Sequence, residues 1–525
     1  MTLPGPEKAT SIAQRRGWVT GFALVASTAL FVGNSTAQTP SINPVAARPL
    51  QQYSVADTPI RILLADPAAS EILRRYVPSF ADSSRTKMLG DSSLKDIQGY
   101  ALAVLSDAVL AQIDAELVKL PPVDLPPRTT TIDEAKVRPY TLPDPLVLAN
   151  GTRITRPSEW WQTRRPQIVS MFETLEFGRA PARPRSQRFE VFERGARALA
   201  DKAIRRQVLI HLGNDAAAPT IQLVEYLPAA ARGPVPMVLM IGFTAPSAMI
   251  DDPGIRPSQV WDVAKKQRVA ATPGPGGKFD PKPFLDAGFG VTTYYYGDVD
   301  PDYAEGYAQG IRGYLAGGAP RTADAWGAVA AWAWSLSRVQ DYLETDRGVD
   351  SKRVALIGAS RLGKTVLWAA AHDQRFAAVI SCCSGKIGAS LMRRNFGSPI
   401  AGSFPGETDY WMADNFRQFH GNENNLPMDG HMLLGLIAPR PVLLQTGKYD
   451  HAADPKGEFL AGVAATPVYR LLGKPGLEAT DWPPLGPSVD GQIGFTMNSG
   501  GHGMQPGDWG IYLQFLQKHL QHGRH

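Results

Sequence analysis

Cysteine is nearly absent from this chain. Its 525 residues hold two, Cys382 and Cys383, and they are adjacent. Neighbouring cysteines rarely close a useful bridge, so no disulfide framework is implied, and no CxxC or metal-spaced set exists. Charge of one sign is never concentrated: the net value is +5, without long basic runs. That argues against a nucleic-acid partner. Long apolar runs are missing beyond the first 37 residues, so no later segment can span a membrane. Internal repeats are absent too. The rest is ordinary globular composition, 44% apolar and 20% charged, at a length that allows one large domain and something smaller.

The first 37 residues have the order of an export signal. Lys8, Arg15 and Arg16 precede an apolar stretch over 18–32, and Ser35-Thr36-Ala37 is a small-x-small cleavage site. The alternative is an uncleaved N-terminal anchor. The destination expected is the periplasm or the medium, with no stable membrane association once the signal is removed.

Residues 38–50 are Pro/Ala/Ser-rich and read as a flexible lead. Over 51–120, apolar residues recur at three and four, which predicts a small helical module. Pro121-Pro122, Pro126-Pro127, Pro143 and Pro145 make 121–150 a stiff, extended linker that would decouple this module from the larger domain. From 151 to 525, strand-like runs at 206–211, 221–226, 236–242, 290–296, 354–357, 377–381 and 441–447 alternate with helical patterns at 324–343, 364–372 and 509–520. Such alternation predicts an α/β fold, a mostly parallel sheet covered on both faces.

The chemistry concentrates at Val354-Ala-Leu-Ile-Gly-Ala-Ser-Arg-Leu-Gly-Lys364. A short apolar strand breaks at Gly358, Ser360 comes next but one, and a helical pattern begins. A serine on a sharp strand-to-helix turn is how an α/β-hydrolase exposes its nucleophile. Leu362 stands where the second glycine of G-x-S-x-G would be. Arg361 places a fixed cation beside the carbonyl under attack, a position suited to an oxyanion stabiliser. From Gly358 to Thr365 the residues also spell the phosphate-loop pattern G-x-x-x-x-G-K-[ST]. The partners downstream favour the hydrolase.

A serine hydroxyl needs a base. His502, flanked by Gly501 and Gly503 on a late loop, fits that role; His420, His431 and His451 are its rivals. The third member should come after a late strand, and Asp450 stands directly after 441–447, with Asp454 as the alternative. The order Ser360, Asp450, His502 is that of the α/β-hydrolases. Asp429, His431, His420 and Glu423 match no established ligand spacing, so the expectation is no metal and no cofactor.

These residues resemble carbohydrate esterase family 15, the glucuronoyl esterases. The resemblance extends to Trp160-Trp161 with Arg164-Arg165-Pro166, Tyr296-Gly-Asp-Val-Asp-Pro301, Ser390-Leu-Met-Arg-Arg-Asn-Phe-Gly397, Leu426-Pro-Met-Asp-Gly-His431, Ile437-Ala-Pro-Arg-Pro441, Asp454-Pro-Lys-Gly-Glu-Phe459, and Gly500-Gly-His502 with Asp508-Trp509. It covers about 135–522. The resemblance implies an α/β-hydrolase cleaving esters between lignin alcohols and the 4-O-methyl-glucuronoyl groups of xylan. Its partner is then a glucuronoxylan or lignin–carbohydrate ester. Ser360, His502 and Arg361 match the family's nucleophile, base and oxyanion arginine, and Lys364 its sugar-binding lysine. Four positions depart. Ala359 replaces Cys or His before the serine. Cys383-Ser-Gly stands where some members carry an acidic Glu, which leaves Asp450 as the acid. Ser398 and Ala452 replace a Glu and a Trp that help hold the uronate, while Trp411 remains to line the pocket. The substrate-binding expectation is therefore Lys364, Trp411 and Ser398, with a weaker hold on uronates. Other readings are an esterase or peptidase on a different acyl group, and a non-catalytic carbohydrate-binding relative.

Overall fold

In the computed structural model the strands are β1 (Arg188–Ala198), β2 (Ala203–His211), β3 (Thr220–Pro228), β4 (Val235–Gly242), β5 (Gln259–Asp262), β6 (Gln267–Ala270), β7 (Gly290–Tyr295), β8 (Val349–Ala359), β9 (Ala378–Cys382), β10 (Val442–Gly447), β11 (Gly486–Val489) and β12 (Ile493–Asn498). The structure describes residues 49–521, apart from 84–85, 87–88, 90, 275–276, 403–405, 480 and 490. The expected export signal and almost all of the flexible lead lie outside them.

Ten strands form one sheet in the order β1-β2-β3-β7-β4-β8-β9-β10-β12-β11. Its middle, from β7 to β12, is parallel. The first three strands join it antiparallel, and so does β11 at the far edge. Central strands such as β4 and β10 are buried along their whole length, as strands covered on both faces must be. One face packs against the helices Ala328–Leu343, Arg361–His372, Gly430–Ile437 and Pro455–Leu471. The other packs against Lys282–Asp286 and Asp508–Leu516. This is the α/β architecture expected. β1 and β12 go beyond the expected set: β1 is a charged edge strand, and β12 lies in a parallel pair with β10.

Residues 50–521 belong to one compact unit. Within it, the N-terminal helices Ile60–Ala65, Pro67–Tyr76 and Asp107–Leu117 bury a small core of their own around Leu63, Leu73, Leu110 and Ile113. Asp66 and Ser106 cap two of them, accepting from the backbone N–H groups of Ala69 and Val109.

The linker does not decouple this segment, which corrects the spacer reading. Its prolines cluster at either end, and the stretch between them keeps its N–H donors. Thr131 N–H donates to Asn395 O at 2.8 Å, and Gly397 N–H returns a bond to Thr131 O at 2.8 Å. Arg394 pairs with Glu134. On the other side, Arg128 pairs with Asp96. The segment 121–150 is thus bonded to both of its neighbours along much of its length.

Candidate active site

β8 ends at Ala359, and the helix Arg361–His372 starts two residues later. Ser360 makes the turn between them with φ 55° and ψ −126°. A non-glycine residue there is strained, and such strain is retained where surrounding structure over-determines it. Two features hold it. Ser360 N–H donates to Cys382 O at the end of β9, at 2.8 Å. Gly358 lets the helix cross the strand closely, for a Cβ there would collide with Leu362 O. The phosphate-loop reading fails on geometry. Thr365 is fully buried, and its hydroxyl donates to Arg361 O at 2.9 Å, within its own helix.

Ser360, Arg361, Lys364, Ser398, Trp411 and His502 all line one cavity, with Tyr100, Cys383, Lys386 and Ala452 among the residues beside them. Asp450 lies behind His502, fully buried, and its carboxylate meets His502 Nδ1 at 2.8 Å. The other ring nitrogen, Nε2, is buried and has no hydrogen-bond partner among the described residues. A carboxylate on Nδ1 fixes the tautomer that leaves Nε2 able to accept a proton. Two of the rivals, Asp454 and His431, are occupied elsewhere. Asp454 caps the helix Pro455–Leu471 and pairs with Arg394 at 2.9 Å. His431 bonds Pro143 O at 2.9 Å, and burial pulls the His451 ring down to about 4.

Arg361 is held by a group that no sequence motif singles out. Its guanidinium pairs with Asp302 and lies 4.7 Å from the centre of the Trp411 ring. Asp302 also accepts from Tyr296 OH at 2.7 Å, Trp411 Nε1 at 2.9 Å and Tyr410 OH at 2.9 Å. Burial alone would raise its pKa. The Arg361 charge and these three bonds outweigh burial and hold the carboxyl below its ordinary value. Trp411 therefore has two positions at once, lining the cavity and bracing Arg361. Asp302 stands after Pro301 in a short polar stretch, which reads as a turn, and nothing local marks its partners 59 and 109 residues away.

On the sugar-facing side expected for Lys364, its ammonium donates to Ser384 O. Ser398 N–H donates to Ala452 O at 3.0 Å, so the two departing positions are neighbours. Lys386, which sequence reasoning missed, is buried beside them, and burial brings its ammonium down to about 8. No motif marks a lone lysine after a glycine.

Cys383 occupies the wall beside the base, where Gly503 N–H donates to its Sγ at 3.3 Å. The bond with Cys382, and then burial, push its thiol well up, so it stays protonated. Cys383, Asp450 and His502 lie close enough together to share an ion. Within that group the Asp450 carboxylate and His502 Nδ1 are already bonded to each other at 2.8 Å, the pairing of a catalytic acid and base. Of the set His420, Glu423, Asp429 and His431, Asp429 caps the helix Gly430–Ile437 and pairs with Arg393 at 2.9 Å, and His431 is bonded to Pro143 O.

Known proteins resemble this chain in sequence and in overall fold. A family model described as glucuronyl esterase, fungi, matches residues 321–473. A carbohydrate esterase from an unknown prokaryotic organism is 39% identical over 416 residues, covering 77% of this chain and 95% of that protein. A 4-O-methyl-glucuronoyl methylesterase of Wolfiporia cocos is 27% identical over 383 residues, covering 70% and 82%. Among solved structures, a glucuronoyl esterase from Solibacter usitatus is 37% identical with a TM-score of 0.68, covering 73% of this chain and 99% of that one. A family 15 carbohydrate esterase from a marine bacterial metagenome, described as promiscuous, is 37% identical with a TM-score of 0.66, covering 74% and 100%. About a quarter of this chain has no counterpart in these solved structures.

Proposed function

This chain belongs to carbohydrate esterase family 15, the glucuronoyl esterases, and from that premise we propose a serine mechanism for its hydrolysis of glucuronoyl esters. The substrate is the ester between a 4-O-methyl-glucuronoyl group of xylan and a lignin alcohol. The observation that carries the mechanism is the shared cavity: Ser360 on its strained turn, with His502 fixed by Asp450 at 2.8 Å.

Ser360 Oγ attacks the carboxyl carbon of the ester, and His502 Nε2 takes its proton. Asp450 stabilises the imidazolium that forms. Negative charge develops on the former carbonyl oxygen, and Arg361, braced by Asp302, stabilises it. A donor fixed in advance needs no reorganisation at the moment of reaction. His502 then returns the proton to the departing alcohol oxygen, leaving a glucuronoyl ester on Ser360. Water, activated by His502, cleaves that ester and restores the serine. Lys364 and Trp411 orient the sugar. Ser398 and Ala452 line the same cavity without a carboxylate or an indole, which supports a second reading, an esterase with a broader acyl range. The order of residues 1–37 supports export to the periplasm or medium, and no helix among the described residues is long and apolar enough to cross a membrane.

Ser360→Ala tests the mechanism. It should abolish hydrolysis of both benzyl glucuronate and an aryl acetate while the melting temperature stays close to that of the parent, because the side chain faces a cavity. Wild-type-like turnover by this variant would end the serine mechanism.

A further inference from the structure

The base sits on a late loop, yet one of its closest neighbours comes from the N-terminal helical segment. His502 N–H donates to Gly99 O at 2.9 Å. The next residue, Tyr100, lays its ring over the imidazole, with centroids 4.3 Å apart and planes 35° apart. Tyr100 lines the cavity with Ser360 and Arg361, and about half of it remains exposed.

The turn that carries these groups, Gln98–Tyr100, is built to be rigid. Gln98 is fully buried, and its amide donates to Leu105 O at 2.9 Å and to Asp107 at 3.0 Å. Gly99 presses against the backbone that bears the acid: a Cβ there would meet Tyr449 O at 2.6 Å and Asp450 Cα at 2.9 Å. Next to Asp450, His451 lies within reach of Lys95 and Asp107 of the same segment. The segment thus touches the acid loop and the base loop at one point, on their backbones, and adds a ring against the base.

We propose that the turn Gln98–Tyr100 is a positioning element of the active site: the Gly99 carbonyl fixes the backbone of His502, and the Tyr100 ring fixes its imidazole. The proposal rests on His502 being the base. The ring restricts the imidazole to the rotamer that keeps Nδ1 on Asp450, and it covers one face of the imidazole. A base loosened in this way loses rate on every ester, since each turnover needs the same proton transfers. The N-terminal segment is then a working part of the enzyme, beyond any role in binding polymer.

Steady-state kinetics on the full chain test this with two esters, benzyl glucuronate and an aryl acetate. Aromatic pairs of this kind suggest a loss of roughly three- to tenfold in kcat for Tyr100→Ala, equal on both esters and with KM unmoved. Tyr100→Phe should restore kcat to within about threefold, because the face of the ring does the positioning. The melting temperature of the alanine variant should change little at so exposed a site. Gly99→Ala should lower kcat further, by displacing the Asp450 backbone. An unchanged kcat in Tyr100→Ala overturns the proposal. A loss confined to KM, or to one ester, also overturns it, and makes Tyr100 a substrate contact instead. Failure of Ser360→Ala to abolish turnover would strike the serine mechanism, and the two failures are read in different variants.

Discussion

Replacing Asp302 by Asn should slow the enzyme chiefly through Arg361. Asp302 is almost wholly buried, with 3% of its side chain exposed, and it takes bonds from Arg361, Tyr296, Tyr410 and Trp411. All four partners donate. Asn offers one acceptor oxygen in place of two and turns an N–H₂ group toward donors. Hydrogen bonds to a charged group contribute about 1.5–3 kcal/mol each, and breaking a buried ion pair costs about 3–5 kcal/mol. Arg361 is 29% exposed, so water recovers part of that, and a stability loss of about 3 kcal/mol is expected. Catalysis suffers separately. Removing an oxyanion donor outright costs about 10²–10³ in kcat. Arg361 remains in Asp302→Asn but is no longer fixed, so a loss of about 10–10² in kcat is expected. The assay is a double-mutant cycle on benzyl glucuronate with Asp302→Asn, Arg361→Ala and their combination. If Asp302 acts through Arg361, the double variant is no slower than Arg361→Ala alone. Additive losses, or an unchanged kcat in Asp302→Asn, refute the reasoning. The acid limb has a definite sign. The Asp302 carboxyl is held below its ordinary value, so its stabilisation is complete above about pH 4 and is lost only as pH falls below that.

Asp450→Asn should cut kcat by roughly 10⁴ by imposing the wrong histidine tautomer, whereas Asp454→Asn should lower the melting temperature and affect kcat far less, since Asp454 caps a helix and pairs with Arg394. Glu458 and Glu225 are both pushed up to about 8 by burial, so each favours the fold when protonated. Their stability contribution is full below the ordinary carboxylate range and drains as pH rises toward 8; Glu458→Gln should flatten the decline in melting temperature between about pH 5 and 9. An equally steep decline in that variant counts against the assignment. Ser398→Glu should lower KM for benzyl glucuronate by roughly tenfold, because it restores a charged acceptor for sugar hydroxyls. A KM that rises instead would mean the sugar is held by other residues, with Lys364 and Trp411 the first to examine.

The nucleophile turn was legible because its chemistry is local: an apolar strand, a small residue and a serine stand in a row. His502 and Asp450 were legible through glycine flanks and a strand end. The brace on Arg361 was not, since Asp302, Tyr410 and Trp411 meet only in three dimensions and each alone looks like loop or core. β12 escaped although Ile493, Phe495 and Met497 alternate with Gly494, Thr496 and Asn498, because the run is short and lies between glycines. The helical segment was legible as helices, through its inward apolar face. Its docking was not, because Gln98-Gly99-Tyr100 carries only the signal of a bend, and the proline count overstated the stiffness of 121–150.

The bond from His502 to Gly99 also has a consequence for the order in which this enzyme comes together. The two residues are about 400 positions apart, so their meeting closes a loop of roughly three quarters of the chain. Contacts of such separation carry a large entropic cost until the intervening sheet has already formed. The N-terminal segment is synthesised well before its docking surface, which is made by β10, β12 and the loops after them. Refolding watched by two signals should therefore separate them: secondary structure returns early, and esterase activity appears only with the final, slowest phase.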